Sequence, residues 1–148
     1  MQQQYAIRNP RQFGHYDELC WGITASDGPG PGTVRVNGIE RVFYDYTARG
    51  VPFGPDDGTL APWAVVTSLP FAPEIVLPTI QNYERMHLKE GQQYGYKASF
   101  NPSFPLQPEH EYGCVSPYHF GINQGPIVLM IENSRSGFPW TLMRQCPS

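Results

Sequence analysis

Residues 51–88 read VPFGPDDGTLAPWAVVTSLPFAPEIVLPTIQNYERMHL, and this stretch decides between a strand-built and a helix-built chain. The apolar run TLAPWAVVTSL predicts a helix over about residues 59–69. A second helix is predicted over about 73–88, where Val76, Thr79, Ile80, Tyr83 and Met86 recur near helical spacing and Ile75 flanks that face. Pro73 suits a first helical turn, whereas Pro78, five residues further in, is expected to kink or strain the helix. Just ahead of both helices stand two adjacent acids, Asp56 and Asp57. Neighbouring carboxylates project in different directions and make a poor acid–base pair. Asp57 is open between helix capping, with Thr59 beside it, or loop bracing, and binding ligand hydroxyls. Asp56 reads as solvated or loop-bonded.

Outward from this stretch, TVRVNGIERVFYDY (33–46) sets Asn37-Gly38 between β-branched residues, the preferred type I′ hairpin turn. A two-residue loop places Val36 opposite Ile39, Arg35 opposite Glu40 and Val34 opposite Arg41, and the Arg35–Glu40 charge match is modestly stabilising. The start of the chain, up to Arg8, reads as the tail of a helix stopped by Asn9-Pro10. Residues 14–32 are turn-rich and end in DGPGPG. Residues 91–122 read as irregular, with YGYKASF (94–100) a candidate strand. GPIVLMIENSRSG (125–137) reads as a helix opened by Pro126 and closed by Gly137. FPWTLMRQCP (138–147) is a short last helix. Helices therefore dominate, with long loops between them, and loops of that length in a compact domain are usually functional.

The 148 residues suit one domain with a real core. Lys and Arg total 10 against 13 Asp and Glu, for a net charge of −3, which argues against a nucleic-acid partner. Charged residues are 16% and aromatics 14% of the chain, with 16 Pro and 15 Gly, a balance that carries too much apolar surface for disorder. Carbohydrate-active proteins share this composition, because sugar rings stack on Trp and Tyr. Cys20, Cys114 and Cys146 lack metal-site spacing and read as buried free thiols. The opening MQQQYAIRNPRQF is not a signal peptide, and no apolar run reaches the length of a membrane span.

Four blocks, CWGITASDGPG (20–30), YTARGVPFGPDDGTLAPWAVVTSLPFAPEIVLPTI (46–80), YGYKASFNPSFP (94–105) and VSPYHFGINQGPIVLMIENSRSG (115–137), together resemble the bacterial glucoamylase-like family. That family includes the endo-β-1,2-glucanases of glycoside hydrolase family 144, and the resemblance covers roughly residues 5–146. It implies a mainly α fold, part of an (α/α)6 toroid with long loops and one β-hairpin. Twelve helices of about 11 residues with loops of about 5 need roughly 190 residues. The chain is therefore expected to be the C-terminal portion of a catalytic domain whose upstream half is missing. The resemblance further implies inverting acid–base hydrolysis of a β-glucan, β-1,2-glucan first, with an oligo- or polysaccharide partner and no metal or organic cofactor. A periplasmic or secreted parent fits that chemistry. Two alternatives stay open: a non-catalytic carbohydrate-binding or β-1,2-glucan synthase-associated domain, and an inactive piece with an exposed apolar helix flank.

Inverting hydrolysis needs two carboxyl groups about 6.5–9.5 Å apart, delivered by separate segments. The candidate catalytic residues are Asp27, Asp57 and Glu132. Asp27, in TASDGP, is open between an Asx turn before Gly28-Pro29 and a cleft lining shared with Thr24, Ser26 and the stacking platform Trp21. Glu132 is open between an ion pair with Arg135 and a cleft acid or base. The candidate substrate-binding residues are Trp21, Thr24, Arg49, Asp56, His119, Asn123 and Gln124. Asn123 and Gln124 sit just before a helix, as caps or as sugar contacts. The family resemblance sets Asp, a candidate general base, where Asn123 stands; Asn cannot take up a proton, so the resemblance implies a lost or altered base. Arg49 either bridges loops or contacts sugar. Tyr118, Trp63 and Phe120 read as core more than as platforms.

Overall fold

The structure, a computed structural model, describes residues 1–89, 94–105 and 111–146. Its elements run α1 (Gln2–Arg8), β1 (Gly32–Val36), β2 (Ile39–Phe43), α2 (Pro62–Val66), α3 (Pro73–Arg85), β3 (Phe100–Asn101), β4 (Cys114–Val115), α4 (Gly121–Ser136) and α5 (Phe138–Arg144). Helices dominate, accompanied by two small antiparallel sheets, β1–β2 and β3–β4. Among the described residues no helix is long and apolar enough to cross a membrane.

The hairpin has the expected register, with Val36 opposite Ile39, Arg35 opposite Glu40 and Val34 opposite Arg41. Asn37 and Gly38 take φ of 51° and 81°, the pair of positive values that a type I′ turn requires. The Arg35–Glu40 match is one of register alone, because Arg35 Nε donates to the Gly38 carbonyl at 3.3 Å. Asn9, at φ 41°, ends α1 in the left-handed conformation, as Asn9-Pro10 leads one to expect.

Two helices depart from expectation at their starts. The helix expected from residue 59 begins only at Pro62, behind an extended Ala61 that offers no side-chain cap. The reason lies elsewhere in the chain: the N–H and C=O of Leu60 exchange 2.8 Å bonds with those of Phe100, and Ala61 N–H donates to the Gly22 carbonyl. Residues 59–61 are thus committed to pairing before a helix can form, and Asp57 caps no helix. α4 begins at Gly121, more than a turn before the expected start at Pro126. Pro126 removes only the bond that would reach the Ile122 carbonyl, and Ile122 is exposed at the helix start.

α3 keeps the predicted inner face, with Val76, Thr79 and Tyr83 buried, and ends three residues short of expectation. Pro78 stays inside the helix on its exposed side. α3 docks on the 19–21 segment by polar as well as apolar contact. Trp21 Nε1 donates to Thr79 Oγ1 at 2.9 Å, Tyr83 Oη donates to the Trp21 carbonyl, and Asn82 donates to Leu19 O. The core gathers Trp21, Leu60, Val65, Val76, Tyr83 and Phe100 around this junction. The strand expected over 94–100 shrinks to the two residues of β3, although Ala98 and Ser99 continue the backbone pairing to Tyr118 and Ser116. Of the three thiols expected to be buried, Cys20 is, Cys114 is half-buried and Cys146 is exposed.

A buried ion pair ties the loops to this core. Arg49 Nε and Nη2 donate to Asp57 Oδ1 and Oδ2, both at 2.8 Å, and neither side chain reaches solvent. The remaining guanidinium donors go to Ser26, Tyr44 O and Asp45 O, so one side chain joins the 24–27 loop to the end of β2. Asp57 also accepts the N–H groups of Tyr44 and Thr59 at 3.0 and 3.1 Å. Asp56 is buried as well, which corrects its solvated reading. It accepts the Tyr5 and Tyr16 hydroxyls at 3.0 and 2.9 Å, and burial together with Asp56 pushes the Tyr5 phenol up to about 12.

Burial pushes the Asp57 carboxyl up, but the hydrogen bonds and charge of Arg49, aided by Tyr44 and Thr59, outweigh it and hold the carboxyl below its ordinary 3.8. A group lowered on folding stabilises fully above its unfolded value and loses that contribution as pH falls through the folded one. Arg49→Met is therefore expected to cost about 3–5 kcal/mol in denaturant unfolding at pH 7, a cost that narrows as pH falls, first through the burial-raised value of the stranded carboxylate and then through the lowered value of the paired one. An equal cost at pH 7 and pH 3 would contradict this account. For the core, Leu60→Ala, at a fully buried position, is expected to cost about 2–5 kcal/mol, whereas Leu77→Ala, at a half-exposed one, stays within about 0.5 kcal/mol.

Candidate functional site

Four chain segments meet at a hollow of about 240 Å³ lined by Ala25, Ser26, Asp27, Tyr46, Trp63, Phe120, Ile122 and Asn123. The 25–27 loop forms one wall and the first turn of α4 another, with Trp63 of α2 and Tyr46 just past β2 between them.

Asp27 is nine-tenths buried, and its carboxylate is held by two serines. Ser99, just before β3, donates to Asp27 Oδ1 at 3.1 Å and to its carbonyl at 2.8 Å. Ser116, just after β4, donates to Oδ2. The paired extended segments thus fix the direction in which Asp27 faces. Gly28 lets its loop lie against Arg49, since a Cβ there would meet Tyr44 O at 2.3 Å and Arg49 Nη2 at 2.4 Å.

Asn123 comes to the same hollow from the first turn of α4, only 8% exposed. Its backbone N–H bonds to Phe120 O at 3.0 Å. Among the described residues its side-chain amide has no protein hydrogen-bond partner, and the residue lines the hollow. Asn123 and Gln124 were expected just before a helix; both instead lie inside α4, whose N-cap is Phe120 without a side-chain cap bond. Gln124 Nε2 donates to Tyr96 O at 2.9 Å, and His119 Nδ1 lies 3.1 Å from the same carbonyl. Those two side chains pin the turn that carries Asn123 and do not line the hollow.

Other candidates sit elsewhere. Trp21, expected as a stacking platform, is only 4% exposed and bonded to Thr79, so it is a core residue. Thr24 is half-buried beside the hollow, its carbonyl accepting from Ser26 Oγ at 3.2 Å. Arg49, Asp56 and Asp57 brace the loops and line no part of the hollow. Glu132 stands nine residues along α4 from Asn123, two and a half turns and hence on the opposite side of the helix. It accepts from Ser136 Oγ at 2.7 Å and pairs loosely with Arg135 at 3.6 Å. Conversely, Trp63 and Phe120, read as core, line the hollow, and Tyr118 stacks on Phe120 with ring centroids 5.7 Å apart. Tyr46, Ser99 and Ser116 escaped the sequence reading. Neither serine carried a sequence signal of its own, since Ser99 stands among Tyr96, Lys97 and Asn101 and Ser116 just before Pro117 and Tyr118.

A carboxylate accepts hydroxyls, an amide both donates and accepts, and aromatic faces cover the C–H faces of a sugar ring. Such walls suit a neutral polyhydroxylated ligand. Asp27 is the one carboxylate lining the hollow among the described residues, so the lining does not contain the pair that inverting hydrolysis requires.

A family model described as "Putative glucoamylase" matches residues 1–147. The exo β-1,2-glucooligosaccharide sophorohydrolase (non-reducing end) of Parabacteroides distasonis is 32% identical over 147 residues, which is 98% of this chain and 17% of the relative. The structure of the endo-β-1,2-glucanase from Chitinophaga pinensis, in complex with sophorotriose and glucose, is similar with a TM-score of 0.71 at 29% identity, over 99% of this chain and 30% of that one. The structure of a β-1,2-glucanase from Parabacteroides distasonis has a TM-score of 0.73 at 32% identity, over 99% of this chain and 18% of that one. The chain thus spans less than a third of the length of each of these relatives. With its family model matched almost from end to end and its backbone shared with glucanases of known structure, the chain belongs to the glucoamylase-like family.

Proposed function

We propose that the hollow between the 25–27 loop and α4 is part of the glucan-binding cleft of a glycoside hydrolase domain acting on β-1,2-glucan. The observation that carries this reading is the convergence of Asp27 and Asn123, from opposite ends of the chain, on one aromatic-walled hollow. The activities of the three relatives named above, each directed at β-1,2-linked glucose, support the substrate class. In this reading Asp27 is a catalytic carboxylate, oriented by Ser99 and Ser116, and Asn123 reads a ring hydroxyl with its side-chain amide. The second carboxyl group comes from outside the hollow's lining, in the part of the family's domain that this chain does not span. Arg49, Asp56 and Asp57 contribute by holding the loop that presents Asp27.

A second reading, glucan binding without hydrolysis, is favoured by a specific feature: an amide occupies the wall opposite Asp27, and an amide takes up no proton.

Calorimetric titration with sophorotriose, laminaritriose and cellotriose tests the binding claim. Sophorotriose is expected to bind in preference, and Asn123→Ala to weaken it about tenfold, or about 1.4 kcal/mol. Equal affinity for all three sugars, or none for any, sinks the proposal. The two readings separate when this chain replaces the stretch it matches in the Chitinophaga endoglucanase, so that the remaining carboxyl group is present. Release of reducing ends from β-1,2-glucan that Asp27→Asn abolishes supports hydrolysis, and no release supports binding alone.

A further inference from the structure

Phe53 is 97% exposed, at the tip of a short loop that closes on itself. Gly50 N–H donates to the Pro55 carbonyl at 3.1 Å, and a Cβ at Gly54 would meet the Gly50 carbonyl oxygen at 2.7 Å. Both ends of the loop are clamped, because Arg49 precedes it, Asp57 follows it, and their buried pair joins the two. Single apolar residues scattered over a surface need no account. A phenyl ring held clear of its own chain by a loop already fixed is different, since little further ordering is lost when a ligand stacks on it.

The loop lies close to the hollow. Tyr46, which lines the hollow and is 69% exposed, opens the segment that leads to Phe53. Arg49 donates to the carbonyl of Ser26 in the hollow's wall, and Phe53 is four residues from Arg49, a span of at most about 14 Å. At about 240 Å³ the hollow falls below the roughly 300–1,000 Å³ of pockets that enclose a drug-sized ligand, so a glucan of several units runs past its rim. A sugar ring outside the hollow needs an apolar surface for its C–H face, and an aromatic ring supplies one. We propose that Phe53 is a stacking platform for a glucose unit of the same glucan beyond the hollow, and that it gives the chain a preference for longer oligosaccharides. This role rests on the glucan reading of the hollow.

Calorimetric titration of the wild-type chain, Phe53→Ala and Phe53→Trp with sophorotriose and with a β-1,2-linked glucohexaose tests it. The wild-type chain is expected to bind the hexaose about five- to tenfold more tightly than the triose. Phe53→Ala removes that advantage and leaves the affinity for sophorotriose unchanged. Its melting temperature stays within about 1 °C of the wild type, because the ring is exposed. Phe53→Trp keeps the advantage, and the emission of the added indole shifts with the hexaose and not with the triose. An advantage that survives Phe53→Ala, or an equal loss for both sugars, overturns the platform and leaves the glucan reading of the hollow standing. No binding of either sugar by the wild-type chain removes both. In the graft into the Chitinophaga endoglucanase, a fall of about 3 °C or more in melting temperature on Phe53→Ala also overturns the platform, because the rest of the domain then covers the ring.

Discussion

The bidentate contact between Arg49 and Asp57 is the constraint on which the loop architecture rests. It is sealed from solvent, and every remaining donor of the guanidinium finds an acceptor in the 24–27 loop or at the end of β2. Two charges taken out of water are costly unless their hydrogen-bonding capacity is filled. Here it is filled by backbone groups that three different loops provide, so those loops cannot separate without stranding a charge. Asp56 repeats the logic on a smaller scale, collecting two tyrosine hydroxyls and the Gly58 N–H. The adjacent acids are scaffold, and the carboxylate that lines the hollow is Asp27, one loop away.

What could be read ahead of the structure was local. Asn37-Gly38 dictates its hairpin because both turn residues and both strands lie within a dozen positions. The inner face of α3 was legible because Val76, Thr79 and Tyr83 repeat at helical spacing. What escaped was decided at long range. Leu60 pairs with Phe100, forty residues on, and that pairing delays α2 and removes the cap role expected of Asp57. Pro126 looked like a helix opener because proline is common there, yet α4 starts earlier, anchored by Gln124 and His119 on the Tyr96 carbonyl.

The candidate site shows the same division. The family blocks identified Asp27 and Asn123, and the structure brings both to one hollow. Trp21 and Trp63 exchange roles, since Trp21 has the Thr79 hydroxyl to satisfy its indole and so enters the core, while Trp63 lines the hollow with its indole N–H unpartnered among the described residues. No sequence pattern distinguishes them, because the difference depends on which helix packs over each ring. Glu132 had the right chemistry and the wrong phase, half a rotation away from Asn123 around α4.

The central claim is that Asp27 and Asn123 face one bound glucan unit. A crystal structure of the chain with sophorotriose tests it most directly. A glucose ring is expected between Trp63 and Phe120, with hydroxyls within hydrogen-bond reach of the Asp27 carboxylate and the Asn123 amide. A sugar bound elsewhere on the chain, with the hollow filled only by water, would contradict it.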